Sequence, residues 1–353
     1  MLSKIQKHTI DIYDLKSKKY QVEIVNARDL LTTSRFDLFA KLFYIRNIDN
    51  DRELALKVYT EHIKAFNPDF CEPGRDDKTS LNDFVSVFNK LINHFKDKEF
   101  DSAISVIPVS EDYVILDGAH RLAALAYWNK KVEIVRFYEV KPKCNFDFKY
   151  FRNRGLSIST SNIIANEVFN WKSNIHIACL WPKMGDTENK DKAIALINSF
   201  SNPFYIKSTI TNLKSLTSLI IKTYNHQDWV GTAENGYAGA KDKALRCFSF
   251  NKNVDFVFFN ADNLEEVTAL KEKIRNLFKF EKDTIHITDT YNEAKQLATL
   301  ILTPEGQNSW CSSQKLRLQE HIKEYCFYLK NVIWLNFKIK VAFLLKKCNF
   351  LVR

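Results

Sequence analysis

The chain has 353 residues, of which 45% are hydrophobic and 27% charged, with a formal net charge of +10. This composition excludes general disorder, and the length exceeds one ordinary domain of roughly 100–200 residues, so two domains are expected. The charge is uneven: the segment Lys315–Arg353 holds nine basic residues against Glu320 and Glu324, and so carries +7 of the +10. A basic chain can mark a nucleic-acid partner, but here the excess sits in one terminal segment, which argues against that reading for the body of the protein.

Only 8 glycines and 7 prolines are present, which excludes collagen-like and linker-rich chains. The 7 cysteines, at positions 71, 144, 179, 247, 311, 326 and 348, include no C-x-x-C pair. That spacing and the odd number speak against a zinc site or a secreted disulfide framework. The N-terminal residues lack the apolar core of a signal peptide, and the apolar stretch Val332–Leu345 is too short to span a bilayer. A cytoplasmic protein with no membrane span is expected.

In chain order, Thr9–Tyr13 and Tyr20–Val25 alternate around Ser17-Lys18-Lys19 and predict a β-hairpin. Arg35–Ile45 and Arg52–Phe66 have helical spacing. In the first of these, Arg35, Asp37 and Lys41 share a face; they could reach the segment around Asp117, but a surface ion pair is the expected reading. Ser80 with Asp83 predicts the capped start of an amphipathic helix through Phe84, Phe88, Ile92 and Phe95. Strands are expected over Ser102–Val109 and Tyr113–Leu116, a helix over Ala119–Trp128 and a strand over Val132–Tyr138. Lys141–Asn153 has no clear period and is expected to connect two domains. From Asn174 strands and helices alternate, which predicts an α/β layer with a mostly parallel sheet. The period of two from Val332 predicts an amphipathic strand in the tail.

The most informative segment is Val114-Ile115-Leu116-Asp117-Gly118-Ala119-His120-Arg121-Leu122-Ala123-Ala124. An apolar run breaks at Asp117-Gly118 and passes directly into a helix. First-turn amides at such a point form an anion site, helped by the helix dipole. Two cationic or donor side chains there oppose the dipole unless an anion such as phosphate is bound. Asp117 could hold a metal ion or take a proton from a hydroxyl. The plainer alternative is that Asp117 caps the helix while His120 and Arg121 are solvated.

This motif, set after an amphipathic helix and a strand ending Ile107-Pro108-Val109, resembles the ParB/sulfiredoxin superfamily over about Leu81–Val140. The D-G-A-H-R form is more similar to the free-serine-kinase-like members than to DNA-partition ParB proteins. Ala119 stands where sulfiredoxins place a catalytic cysteine, so sulfinic-acid reduction is not implied. The resemblance implies that Gly118, Ala119, His120 and Arg121 hold ATP or another nucleotide. It also implies that Asp117 is a catalytic base or metal organiser and that a glutamate before the helix, here Glu72, assists it. Mg²⁺ is expected from phosphoryl-transfer chemistry, without an identifiable ligand set.

The later segment is similar to proteins of bacterial surface-polysaccharide gene clusters. Some of those continue into nucleotidyltransferase-like modules with Gly-Ser pairs, and none occurs here. Gly231, Gly236 and Gly239 fall just before a helix, where a backbone phosphate cradle would lie, but the G-K-[ST] ending of a P-loop is missing and a glycine-rich connection is the plainer reading. His286 lies in a strand, and Thr290 with Glu293 predicts a capping box.

The expected organisation is therefore α/β, with α+β character in the N-terminal half. It comprises a ParB/sulfiredoxin-like nucleotide-binding domain (1–150), a layered α/β domain (151–303) and a basic tail (304–353). The expected function is a nucleotide-dependent, kinase-like phosphotransferase acting on a small hydroxyl compound such as an amino acid or sugar, in a surface-polysaccharide setting. The alternatives are a ParB-like nucleotide switch or DNA-associated protein, and a non-catalytic binding module. A deep pocket at Asp117–Arg121 with a second carboxylate would favour the kinase.

Overall fold

A computed structural model describes residues 1–72, 77–185, 187–249, 253–278 and 281–311. The chain divides into two compact units, Met1–Ser173 and Asn174–Arg353. The expected tail strand from Val332 lies outside the described residues. Cys71, Cys144, Cys179, Cys247 and Cys311 are free thiols. No helix among the described residues is long and apolar enough to cross a membrane.

Unit 1 contains α1 (Lys7–Tyr13), β1 (Tyr20–Asn26), α2 (Phe36–Asn47), α3 (Arg52–Phe66), α4 (Leu81–Asp97), β2 (Ile107–Val109), α5 (Ala119–Tyr127), β3 (Lys131–Phe137), α6 (Phe148–Asn153) and α7 (Ile158–Val168). Its sheet has the order β1-β3-β2, with β1 antiparallel and β2 parallel to β3. The expected hairpin does not form. Thr9–Tyr13 belongs to α1, and Tyr20 pairs with Phe137 instead. Five alternating residues fit a short helix that buries only Thr9 and Ile10 as well as they fit a strand.

The expected strand Tyr113–Leu116 reduces to a single bridge between Ile115 and Val109, and only Ile107–Val109 of the strand before it is extended. Ser110 N–H donates to Val114 O at 2.8 Å, and Leu116 N–H to Pro108 O at 2.9 Å. The chain thus folds back along the end of β2 and delivers Asp117 beside it. α2 is buried along Phe36–Ile45 and packs against α3, α5 and α7. Ser80 caps α4, accepting from Asp83 N–H, while the Asp83 carboxylate accepts from Thr79 N–H and the Ser80 hydroxyl. Lys141–Asn153 is not a bare connection: it ends in α6, whose Phe148 and Phe151 are buried. Unit 1 runs on to Ser173, beyond the boundary expected at residue 150.

Unit 2 contains β4 (Ile175–Leu180), α8 (Thr187–Phe200), β5 (Tyr205–Ile210), α9 (Leu213–Thr223), α10 (Ala238–Cys247), β6 (Asn253–Asn260), α11 (Leu264–Arg275), β7 (Ile285–Ile287), α12 (Tyr291–Leu302) and α13 (Pro304–Asn308). Strands and helices alternate as expected, but the sheet is not parallel. Its order is β5-β6-β4-β7 and every neighbouring pair is antiparallel. The reason is topological. β4-α8-β5 and β6-α11-β7 are each a split β-α-β unit, and each accepts a strand of the other between its own two. Strand–helix alternation in a sequence is the same whether the strands of a unit touch or are split.

On one face Ala178, Leu180, Val257, Phe259, Ile285 and Ile287 pack under Ala193 and Ile197 of α8 and Val267, Leu270 and Ile274 of α11. α12 packs on β4, and α9 contacts both α10 and α12.

Candidate functional site

In unit 1 a cavity of about 400 Å³ is lined by all six residues singled out from the motif and its surroundings: Glu72, Asp117, Gly118, Ala119, His120 and Arg121. Gly118 has φ +85°, which places it in the left-handed region, and the chain enters α5 directly from it. A Cβ there would come within 2.7 Å of Ile107 Cδ1 and 2.9 Å of Arg121 Nη2. Only glycine suits this turn.

The start of α5 has no side-chain cap and no acidic residue in its first turn. The Asp117 carboxylate accepts from Gly118 N–H at 2.6 Å, and its second oxygen lies 3.5 Å from Arg121 Nη2. Its bonds go to the adjacent residue and to Arg121 rather than to the helix amides a cap satisfies. The positive end of the helix dipole therefore points into the cavity with little compensation.

Arg35, Asp37 and Lys41 also line this cavity, and they are not a surface pair. Their exposures are 5%, 1% and 3%. Arg35 grips Asp37 through Nε at 2.8 Å and Nη2 at 2.9 Å, while its Nη1 donates to Ile115 O at 2.7 Å. That last bond ties the start of α2 to the fold-back that delivers Asp117. Lys41 Nζ reaches the same Asp37 carboxylate at 3.0 Å and lies 3.4 Å from His62 Nε2. Burial alone would raise the Asp37 carboxyl, but Arg35 and Lys41 overcome it and hold the group far below the ordinary carboxylate range. Burial pushes Lys41 down, opposed by Asp37. Burial, reinforced by Lys41, holds the His62 imidazole well below its ordinary value.

His120 is partly buried, with the rings of Tyr59, Phe84 and Phe88 packed against it. Phe88 meets it edge-on at 4.8 Å, and its Nε2 is hydrogen-bonded to the Tyr59 hydroxyl at 2.9 Å. Burial, with Lys41 and Lys78 nearby, depresses its pKa well below the ordinary value, so the ring is neutral at pH 7. A neutral ring there can serve only as a hydrogen-bonding group, one of the two roles, cationic or donor, that the motif allows. Glu72 is joined by Lys78 at 2.5 Å, and Lys78 is buried beneath the Phe84 ring.

Four cationic side chains (Arg35, Lys41, Lys78 and Arg121) thus meet three carboxylates (Asp37, Glu72 and Asp117) and the buried, neutral imidazoles of His62 and His120, with His8 also in the lining. The balance favours an anionic ligand. His62, Lys78 and Tyr59 were not singled out from sequence, and each lies in a pattern that does not mark it. Asp37 and Lys41 did carry a signal. They are the only acid and lysine in a helix that is apolar all round, and such a helix is buried.

No protein-family model, no curated protein and no solved structure matches this chain.

Proposed function

We propose that the unit 1 cavity binds a nucleotide and transfers its terminal phosphoryl group to a small hydroxyl compound such as an amino acid or sugar. This is the chemistry of the kinase-like members of the ParB/sulfiredoxin superfamily. The observation that carries the reading is the convergence of the Asp117–Arg121 turn, a second carboxylate (Glu72) and an excess of cations on one cavity. Its size lies within the ~300–1,000 Å³ of small-molecule sites.

In this reading the phosphates rest on the start of α5 and on Arg121. Arg35 fixes the backbone before Asp117. The Asp117 carboxylate accepts the acceptor's hydroxyl proton as its oxygen bonds to phosphorus, and the bond to the bridging oxygen of the departing nucleotide breaks. Among the described residues no group of three or more His, Cys, Asp or Glu is placed to hold a metal ion. A magnesium ion arriving with a nucleotide needs only one or two carboxylates besides phosphate oxygens, which Asp117 and Glu72 can provide, and it would neutralise phosphate charge. The DNA-associated alternative is less well supported, because Leu122–Ala126 of α5 are buried and Arg121 is the helix's only permanent charge. Such a helix is not free to enter a groove.

The test is a panel of ATP, ADP, CTP and GTP read by thermal shift, followed by turnover with amino acids and sugars. Arg121→Ala is expected to weaken nucleotide binding about ten-fold or more while the chain stays folded. Asp117→Asn should keep most of the affinity and lose transfer by about 10²–10⁴-fold. Unchanged affinity in the first variant, or normal turnover in the second, overturns the assignment.

A further inference from the structure

Unit 2 has a cavity of its own, larger than that of unit 1, with a volume of about 1020 Å³. Its walls come from the segment after α9, from α10 and α11, and from residues on either side of β7. Five cationic side chains line it (Lys243, Arg246, Lys271, Arg275 and Lys282), against the carboxylates of Asp283, Asp289 and Glu293.

The carboxylates are already engaged. One oxygen of Asp283 is shared by Lys243 Nζ at 2.9 Å and Arg246 Nε at 3.3 Å. Asp289 takes Lys271 at 2.5 Å. Glu293 is held by His286 Nε2 at 2.9 Å and accepts from Asp289 N–H at 2.7 Å, so the expected capping box is modified: Thr290 caps α12 while Glu293 turns to His286. Arg275 bonds Glu272 of its own helix through Nη1 at 2.6 Å, and its Nε is buried with no hydrogen-bond partner among the described residues. Arg246 also pairs with Asp242 as Arg275 does with Glu272, so with those two acids the five cations meet five carboxylates; what favours a multivalent anion is the convergence of five cationic side chains, from two helices and the segment before β7, on one cavity.

Aromatic side chains line the same cavity. The Tyr224 ring lies 5.1 Å from Trp229 and 4.8 Å from His286. Trp229 is 44% exposed although one side packs on Tyr224. Its backbone is fixed, because α10 approaches so closely at Gly239 that a Cβ there would overlap the Trp229 carbonyl oxygen. Gly239 therefore serves close packing and not a phosphate cradle. An exposed, rigidly carried indole beside a cationic cavity matches a ligand with both phosphates and a planar ring.

We propose that unit 2 binds a nucleotide, with its phosphates on Lys243, Arg246, Lys271 and Arg275 and its base against Trp229. The site stands on residues separate from those of the Asp117 cavity and does not depend on that reading.

The test uses the full chain carrying Arg121→Glu, so that the unit 1 cavity repels phosphate. ADP, UDP and pyrophosphate are titrated into it by calorimetry. At least one nucleotide is expected to bind. Adding Trp229→Ala, at an exposed position that leaves the core intact, should weaken that nucleotide about ten-fold and leave pyrophosphate unchanged. Arg275→Gln, or Lys282→Glu at an exposed position should the first fail to fold, should weaken both. Pyrophosphate binding as tightly as the nucleotides, with Trp229→Ala silent, overturns the nucleotide assignment. Loss of all binding in the Arg121→Glu chain places the nucleotide in unit 1 and overturns this site while leaving the other.

Discussion

Asp37 is the one carboxylate in the interior of α2, and two cations depend on it. Arg35 and Lys41 both reach its oxygens, so Asp37→Asn leaves two buried positive charges without the one carboxylate that pairs them. Breaking a buried ion pair costs about 3–5 kcal/mol, and a loss of that size is expected in denaturant unfolding. His62 offers a second test. It is 1% exposed and held neutral by burial, so its folded pKa lies below the unfolded value near 6.5. The unfolded chain then binds the proton that the folded chain refuses. Stability is full above pH 6.5 and falls as pH drops below it, by at most about 1.4 kcal/mol per pH unit from this residue. Unfolding measured at pH 7 and pH 5 should show a decline that His62→Gln reduces. An unchanged pH slope in that variant would remove His62 as the source.

At the scale of elements, the turn into α5 governs the cavity. Gly118→Ala puts a Cβ on a left-handed residue against Ile107 and Arg121. A cost of about 1–3 kcal/mol is expected, together with weaker nucleotide binding. Thermal unfolding and titration of the same variant check both. This turn was legible because an apolar run, Asp-Gly and an Ala-rich helix follow one another without a loop. The capped start of α4 was legible for the same local reason: Ser80 and Asp83 satisfy each other within four residues. Tyr113–Leu116 misled because four apolar residues signal burial without specifying extension, and only Ile115 found a strand partner. The Arg35–Asp37–Lys41 cluster is visible in the sequence as charges able to reach the site, but its burial is not, and a surface pair is the plainer reading. The bonds that bring it there run to Ile115 and His62, far away in the chain. The sheet of unit 2 was misjudged for a comparable reason, since no local pattern records which strand is inserted between two others.

For the molecule as a whole, the boundary is testable. α7 buries Ile164, Ala165 and Val168, and its Glu167 is fully buried against Arg46 of α2 at 2.5 Å. A fragment of residues 1–173 should unfold cooperatively with near-native near-ultraviolet dichroism. A fragment of residues 1–150 lacks α7, exposes the face of α2 that packs on it and strands Arg46, so it should be aggregation-prone or markedly less stable. Equal stability of the two fragments would show that α7 adds nothing to unit 1.

The interleaved sheet of unit 2 also bears on how this protein is made. β4 is fully buried, yet both strands that flank it are encoded much later, roughly 70 residues on for β6 and further for β7. While the ribosome adds those residues, a continuous apolar segment must wait without its partners for several seconds at ordinary elongation rates. Helices α8 to α10 can form meanwhile, but the sheet cannot close until β7 has emerged. Unit 2 therefore cannot complete its sheet until residue 287 has emerged, and the nascent chain is most vulnerable to misassociation while residues 175–287 are being made.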